Sequence, residues 1–401
     1  MIRVLHMLPD LDLGGGQLLL LRNLSAMDRA EFSHVVCTVW PRGSMHEQFR
    51  AAGIDVETLA LRSPAGMPAA LLRLRRIIRD RDIDLIHTNN TGSDRLFGQA
   101  AALLCRKPLV NTLHSTLFLG GNLRGRKEVI RRMRLAVDRA IARRTIRHVI
   151  AVGESVRQAW HGYVSTLGVG DDRISVVPPG IDMGRFPERT EAERAALLAP
   201  LGLADASPLL ITVARLVTGK GHIMLMPLLR EVLAAHPRAR LLLVGDGPLR
   251  GELAALAERE GVAHAVVFAG RRDDVPALLD AADLLVFPSL SEGFPLSILE
   301  AMAAGLPIAA FDLPSFAELG DARAAASFAP VGDGPALTRA VLDLLADPQR
   351  MAEMAATGRR IVEERFTQEQ SSRALERIYR SVLAGAEPRR PVITADPQRT
   401  A

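Results

Sequence analysis

Cysteine is almost absent from this chain. Its two cysteines, Cys37 and Cys105, lie far apart and form no CxxC pair, which excludes a disulfide scaffold and a thiolate zinc site. Aromatic residues are sparse, with twelve Phe, two Tyr and two Trp in 401 residues. With no RNA- or DNA-binding motif beside them, that scarcity argues against a nucleic-acid partner. No apolar run reaches the roughly 18 residues that a membrane span needs. The amino terminus, MIRVLHMLP, is too short and too strand-like for a signal peptide, so the chain reads as cytoplasmic. Lysine is scarce as well: arginine supplies nearly all of the 50 basic residues behind a formal net charge of +5.

What is present is an ordinary soluble composition, 48% hydrophobic and 24% charged, in a chain longer than one core usually serves. Short apolar runs alternate with helical patterns throughout. Strands are expected at 2–8, 34–39, 54–59, 85–88, 109–113, 149–152 and 174–177, then at 209–213, 239–244, 266–268, 284–287 and 308–311. Such alternation implies mainly parallel sheets covered by helices on both faces. A rigid turn, Val177-Pro178-Pro179-Gly180-Ile181-Asp182, and a helix-prone stretch at 190–198 separate the two sets. Residues 1–185 and 186–385 are therefore read as two domains. Helices at 336–345, 348–366 and 369–383 close the second, the last folding back onto the first. The Pro-, Arg- and Thr-containing tail, 386–401, is expected to be disordered.

The densest candidate chemistry lies between Ser289 and Leu306. Leu284-Leu285-Val286-Phe287 reads as a buried parallel strand closed by Pro288, and a helix begins near Leu296 or Ser297. Glu292 then sits in the loop at a strand's carboxyl end, and Glu300, eight positions on, in the first helical turns. Ligands gather in such crevices, and a helix's amino end favours negative charge. Two carboxylates there suit a ligand with hydroxyls for the acids and phosphates for the free N–H groups; a nucleotide sugar has both. For Glu300 alone, a favourable helix start is the simpler reading.

Other loops carry related signals. The strand at 209–213 ends in Ala214-Arg215, and Lys220 follows just before a helical pattern at 222–233. These cations suit a diphosphate, or they cap nearby carboxylates. Gly14-Gly15-Gly16 joins the first strand to a helix at 18–24, which brings backbone close to a phosphate or sugar or is a plain connection. His114 ends the strand at 109–113, as a rim residue or an active-site imidazole. His87, Asn89 and Asn90 end the strand at 85–88, as acceptor contacts or polar loop filling. Gly245-Asp246-Gly247 fails the dinucleotide fingerprint, because Arg250 stands where the third glycine belongs.

SEGFPLSILEAMAAGLPIAA resembles the E-x7-E signature of retaining GT-B glycosyltransferases of the glycosyl transferases group 1 family, GT4. The likeness extends over about residues 1–385. It implies an α/β fold of two Rossmann-like parallel-sheet domains facing a central cleft, the first on the acceptor side and the second holding the donor nucleotide. It also implies transfer of a sugar, with retained configuration, from a UDP-, GDP- or ADP-sugar to an acceptor hydroxyl. A lipid-linked or glycan acceptor in cell-envelope or exopolysaccharide synthesis fits, with no metal or other cofactor. Residue by residue, Gly15 and Gly16 match the glycine pair that closes over the donor, and Thr112-Leu113-His114 the T-x-H position near the transferred sugar. Arg215 and Lys220 match the pair that holds the diphosphate. Gly245 belongs to a G-x-G-P turn near the nucleotide, and Arg271 follows an F-x-G segment that brackets the base. Gly293, Phe294 and Leu296 lie within the signature itself, where Glu292 contacts the sugar and Glu300 the ribose hydroxyls. Two departures stand out: Pro295 replaces a common glycine and offers no N–H, and Asp312-Leu313-Pro314-Ser315 replaces a common D-x-G-G turn.

Asp82-Ile83-Asp84 imitates a metal-binding DxD, but it precedes a strand instead of following one and reads as solvated. Basic helices at 71–81 and 124–147 fit reversible contact with an anionic membrane, or equally a solvated face. Two rival functions share these residues: a nucleotide-sugar epimerase on the same fold, and a non-catalytic subunit that binds a nucleotide sugar or glycan.

Overall fold

The computed structural model describes residues 1–89, 92–115, 126–187 and 189–385, without the side chains at 126–135, 317 and 320–322. Asn90, residues 124–125 of the second basic helix and the tail 386–401 lie outside the described residues.

The described residues fall into two compact units, one formed within residues 1–180 with 368–385 and the other within 181–367. The first is built on seven strands: β1 (Ile2–Leu8), β2 (Phe32–Thr38), β3 (Asp55–Thr58), β4 (Leu85–Thr88), β5 (Leu109–Leu113), β6 (Ile146–Ala151) and β7 (Ile174–Val176). Their spatial order is β3-β2-β1-β4-β5-β6-β7, every pair parallel. The second unit has six: β8 (Leu209–Val213), β9 (Arg240–Val244), β10 (Val266–Gly270), β11 (Leu284–Phe287), β12 (Ile308–Phe311) and β13 (Ala326–Ala329). These run β10-β9-β8-β11-β12-β13, again all parallel.

Continuous apolar runs form these strands because helices cover both faces and leave nothing for alternation to expose. Leu284, Leu285 and Val286 are fully buried, as are Leu241, Leu242 and Leu243. In the first unit Val4, Leu85 and Val110 lie in one core with Ala374, Leu375 and Ile378 from the helix Gln368–Leu383. That helix is tied to the helix Gly15–Ala26 by Gln368 Nε2 on Asn23 Oδ1 (2.5 Å) and by Ser372 Oγ on the Asn23 carbonyl (3.2 Å). Arg380 clamps Glu31 through two bonds of 2.7 and 2.6 Å.

The strand order reverses direction between β1 and β4, and again between β8 and β11. At such a switch point the flanking loops leave in opposite directions and open a crevice at the carboxyl ends of the strands. The first crevice is bordered by the loops after β1 and β4, the second by the loops carrying Arg215, Lys220 and Glu292.

Several elements depart from expectation. β13 is unannounced because Ala326-Ser327-Phe328-Ala329 lacks the β-branched residues that mark a strand. The helix expected from 222 begins with a tight turn at His222–Met224 and becomes α-helical only at Leu225–Ala235. β6 starts earlier than 149: Arg147 and His148 interrupt its apolar run, and the ladder with β5 passes from Leu109↔Ile146 to Val110↔His148 across a register shift at Arg147.

Candidate active site

In the second unit, Lys220 Nζ stands 2.5 Å from Glu292 Oε1. Ser289, buried at the end of β11, donates its hydroxyl to the same oxygen at 2.6 Å. Backbone contacts hold the two loops together: Leu290 N donates to the Gly219 carbonyl at 3.0 Å. Gly221, at φ +67, lies so close to this loop that an added Cβ would fall 2.0 Å from the Pro288 carbonyl oxygen. Only glycine fits there. The helix Leu296–Ala303 is anchored at its second residue, where Ser297 Oγ donates to the Val213 carbonyl at 2.8 Å. Its amino end therefore faces the end of β8, and Glu300, only 7% exposed, lies in its second turn.

The loop after β9 packs on the loop after β8. Gly245, at φ +135, would place a Cβ 2.0 Å from the Ala214 carbonyl oxygen, and its N–H donates to Gly270 at 2.8 Å. Leu216 N donates to the Asp246 carbonyl at 3.0 Å. Arg215 is exposed on the same loop and makes no ion pair among the described residues. Arg271 is exposed, whereas its neighbour Arg272 is pinned by both oxygens of Asp274 (2.8 and 2.6 Å). The Phe294 ring packs on Phe366 at 5.9 Å between centroids, so ligand contact at 294 is left to the backbone. Gly293 is buried beside it and Leu296 half-buried. Where the D-x-G-G turn is missing, Asp312 is held by both guanidinium nitrogens of Arg323 at 2.9 Å.

In the first unit, Gly15 and Gly16 are the first residues of the helix Gly15–Ala26, which has no side-chain cap and no acid in its first turn. A Cβ at Gly16 would meet nothing within 4 Å. The protein's own packing does not demand that glycine, whereas a closely approaching ligand would. His114 follows β5 and lines a cavity with His87, Asn89, Thr112, Asn23 and Ser371. Its Nε2 is buried without a hydrogen-bond partner among the described residues. Burial pushes its pKa down to about 4, so the imidazole is neutral at physiological pH. His87 is not free to meet an acceptor, as both ring nitrogens are engaged by Tyr379 Oη (2.6 Å) and Thr112 Oγ1 (2.7 Å). Asn89 donates weakly to the Met7 carbonyl at 3.4 Å.

Asp82 and Asp84 both serve Arg3, through its guanidinium at 3.1 Å and its backbone N–H at 2.9 Å. They lie at the end of the sheet opposite the crevice, which fits their reading as strand-entry residues. Among the described residues no group of three or more His, Cys, Asp or Glu is arranged to hold a metal ion. Sequence reasoning did not reach Ser289, Tyr379 or Asn23. Only Ser289 had a nearby signal, three residues before Glu292.

Two Rossmann-type units, each with glycine-rich or charged loops at its switch point, define the architecture of GT-B glycosyltransferases. The family model for Glycosyltransferase Family 4 matches residues 13–185 and that for Glycosyl transferases group 1 matches residues 207–347. The GDP-mannose-dependent alpha-(1-6)-phosphatidylinositol monomannoside mannosyltransferase of Mycolicibacterium smegmatis is 30% identical over 73% of this chain and 75% of its own length. The corresponding Corynebacterium glutamicum enzyme, which acts on the monoacylated form, is 28% identical over 78% and 81%. In fold, HepE of Anabaena, solved with UDP and glucose, aligns with a TM-score of 0.80 and 23% identity over 95% of this chain and all of its own. The chain belongs to the glycosyl transferases group 1 family, GT4, and is a glycosyltransferase enzyme.

Proposed function

We propose that this enzyme transfers a sugar, with retention of configuration, from a nucleoside diphosphate sugar to a hydroxyl of a lipid-linked or glycan acceptor of the cell envelope. The observation that carries the reading is the Lys220–Glu292 contact at the β8/β11 switch point. It joins one group suited to phosphate and one suited to sugar hydroxyls at the place where an α/β sheet binds its ligand. A lysine ammonium has three donors, so Lys220 can keep Glu292 and still reach a phosphate oxygen. Arg215, which makes no ion pair among the described residues, adds the second positive charge.

In this reading the glycosidic C–O bond to the diphosphate breaks as the acceptor oxygen attacks from the same face. The acceptor proton passes to the leaving phosphate oxygen. Arg215 and Lys220 stabilise the charge that develops on that leaving group. Glu292 contacts the sugar, Glu300 the ribose hydroxyls, and neutral His114 the transferred sugar. Gly15, Gly16, Gly245, Arg271, Gly293, Phe294 and Leu296 complete the donor contacts, mostly through backbone. We propose that the two basic side chains meet the diphosphate charge without a metal ion. The lipid-linked acceptor is supported by the phosphatidylinositol mannoside substrates in the names of the two mannosyltransferase relatives.

The test is direct. UDP, GDP and ADP are screened by thermal shift, and the nucleotide that stabilises the protein then selects the sugar nucleotides for turnover assays. Lys220→Ala and Arg215→Ala should each lose about 100-fold or more in kcat/KM while unfolding at the wild-type temperature. Near-normal kcat/KM in both variants would overturn the diphosphate role.

A further inference from the structure

A chain of buried hydrogen bonds runs under the His114 cavity. Tyr379, wholly buried on the helix Gln368–Leu383, lies 2.6 Å from His87 Nδ1, and His87 Nε2 lies 2.7 Å from Thr112 Oγ1. Proton counting orients it. Among the described residues His87 is the only hydrogen-bond partner of the Tyr379 hydroxyl. If His87 Nδ1 carried the proton, the tyrosine O–H would remain a buried donor with no acceptor, which is costly. Tyr379 therefore donates to Nδ1, and the neutral imidazole keeps its proton on Nε2. Nε2–H then donates to Thr112 Oγ1, which occupies that oxygen as an acceptor and leaves the threonine's own proton unused. Burial pushes the His87 pKa down to about 3, with His114 and His34 adding to the effect, so the ring stays neutral.

Thr112 and His114 stand two residues apart at the end of β5, and successive alternate residues of a strand share one face. Both line the same cavity, and among the described residues His114 Nε2 has no partner. Among the described residues no acceptor is placed for the Thr112 hydroxyl proton.

We infer that Thr112 is a ligand-contacting residue, its hydroxyl turned into the cavity as a donor by the relay from Tyr379 through His87, to meet a saccharide hydroxyl oxygen beside His114. The inference rests on the proposed function for the identity of its ligand, but the relay itself does not. Tyr379 and His87 are positioning residues; Thr112 makes the contact.

Two measurements on the full chain decide it. The first is the 15N NMR spectrum of the imidazoles at neutral pH. His87 should show a protonated Nε2 and a bare, hydrogen-bonded Nδ1, and Tyr379→Phe should move the Nδ1 resonance toward that of a bare nitrogen that accepts no hydrogen bond, with the proton still on Nε2. A protonated Nδ1 in the wild type overturns the relay whatever the enzyme's substrate, even if Tyr379→Phe fails to fold. The second compares Thr112→Val, which keeps the shape, with Thr112→Ser, which keeps the hydroxyl. Readouts are hydrolysis of UDP-glucose or GDP-mannose, transfer to octyl glycosides, and affinity for the sugar nucleotide against the bare nucleotide. Thr112→Val should lose about tenfold in turnover with bare-nucleotide affinity unchanged, and Thr112→Ser should stay within about threefold of wild type.

A loss in hydrolysis and in sugar-nucleotide affinity identifies the transferred sugar as the partner. A loss confined to transfer identifies the acceptor. Thr112→Val within twofold of wild type in every readout, or Thr112→Ser failing equally, overturns the contact. If Lys220→Ala leaves nucleotide binding intact while Thr112→Val still fails, the donor assignment falls and the Thr112 contact stands.

Discussion

Lys220 is one of three lysines in a chain whose other basic residues are all arginine. An ammonium is a compact charge with three rotatable donors, whereas a guanidinium is a planar fork that prefers a bidentate partner. At 220 the partner set is one carboxylate oxygen already shared with Ser289, so the fork has no matching geometry. Lys220→Arg should therefore restore charge but leave kcat/KM at least about tenfold below wild type; recovery to wild-type turnover would reduce Lys220 to a bare charge. Ser289 is the quieter member of this group. Ser289→Ala removes the bond that fixes Glu292 and should cost about 1 kcal/mol of stability, with a fall in turnover that Ser289→Thr partly recovers. At this scale the candidates Arg215, Lys220, Glu292 and Glu300 were legible because charged residues rarely sit beside buried strands without a reason. Ser289 and Tyr379 were not, because a hydroxyl looks the same in sequence whether it is solvated or aimed, and Thr112 was legible only as part of the Thr112-Leu113-His114 resemblance.

Strands and helices carried their own signatures. Fully buried parallel strands show as unbroken apolar runs, and most were readable to within two residues. β13 escaped because alanine and serine make no such run, although pairing with β12 from Ile308↔Ala326 to Phe311↔Ala329 secures it. The loops were readable only as glycine positions, and their closeness came from packing. Gly221→Ala tests this directly. Its positive φ and the 2.0 Å approach to Pro288 should cost about 1–3 kcal/mol, seen as a lower Tm, together with lost nucleotide binding. A substitution tolerated without either effect would mean that the two loops are not held in register.

The helix Met67–Asp80 poses a different question. It exposes Leu72 at 66% beside the exposed Arg73, Arg75 and Arg76, and the neighbouring helix Ser93–Cys105 exposes Leu103 and Leu104. These three arginines make no ion pair among the described residues. In the described part of the other basic helix, Asp138 holds Arg95 at 3.0 Å and Arg143 donates to the Thr166 carbonyl at 3.0 Å, while Val137 and Arg144 are exposed. No helix of the described residues is long and apolar enough to cross a membrane. Membrane contact through the Met67–Asp80 helix is testable. Sedimentation with anionic vesicles at low salt should be lost in Arg75→Glu/Arg76→Glu, with nucleotide binding unchanged. Equal sedimentation of variant and wild type would discard the idea.

Across the whole molecule, six of the ten histidines are held away from water. Burial pushes His34, His114, His148 and His222 down to about 4 and His87 to about 3, and His6 falls well below its ordinary value for the same first reason. The unfolded chain takes protons on these rings near pH 6.5, while the folded chain does not until about pH 4. Their contribution to stability is thus complete above pH 6.5 and lost as pH falls toward 4. The denaturant midpoint should drop across that window, and a flat profile would contradict the buried neutral rings. By the same whole-molecule reading, turnover should survive exhaustive EDTA treatment; loss of activity restored by a divalent cation would show that Arg215 and Lys220 do not suffice. Local pattern was enough for two α/β units, for every strand but β13, and for the residue types at the carboxyl ends of strands, because burial and backbone geometry leave local marks. Only tertiary structure decided which side chains meet, such as Lys220 with Glu292 and His87 with Tyr379. Those pairings span 72 and 292 positions, and no local pattern encodes where a side chain's last proton points.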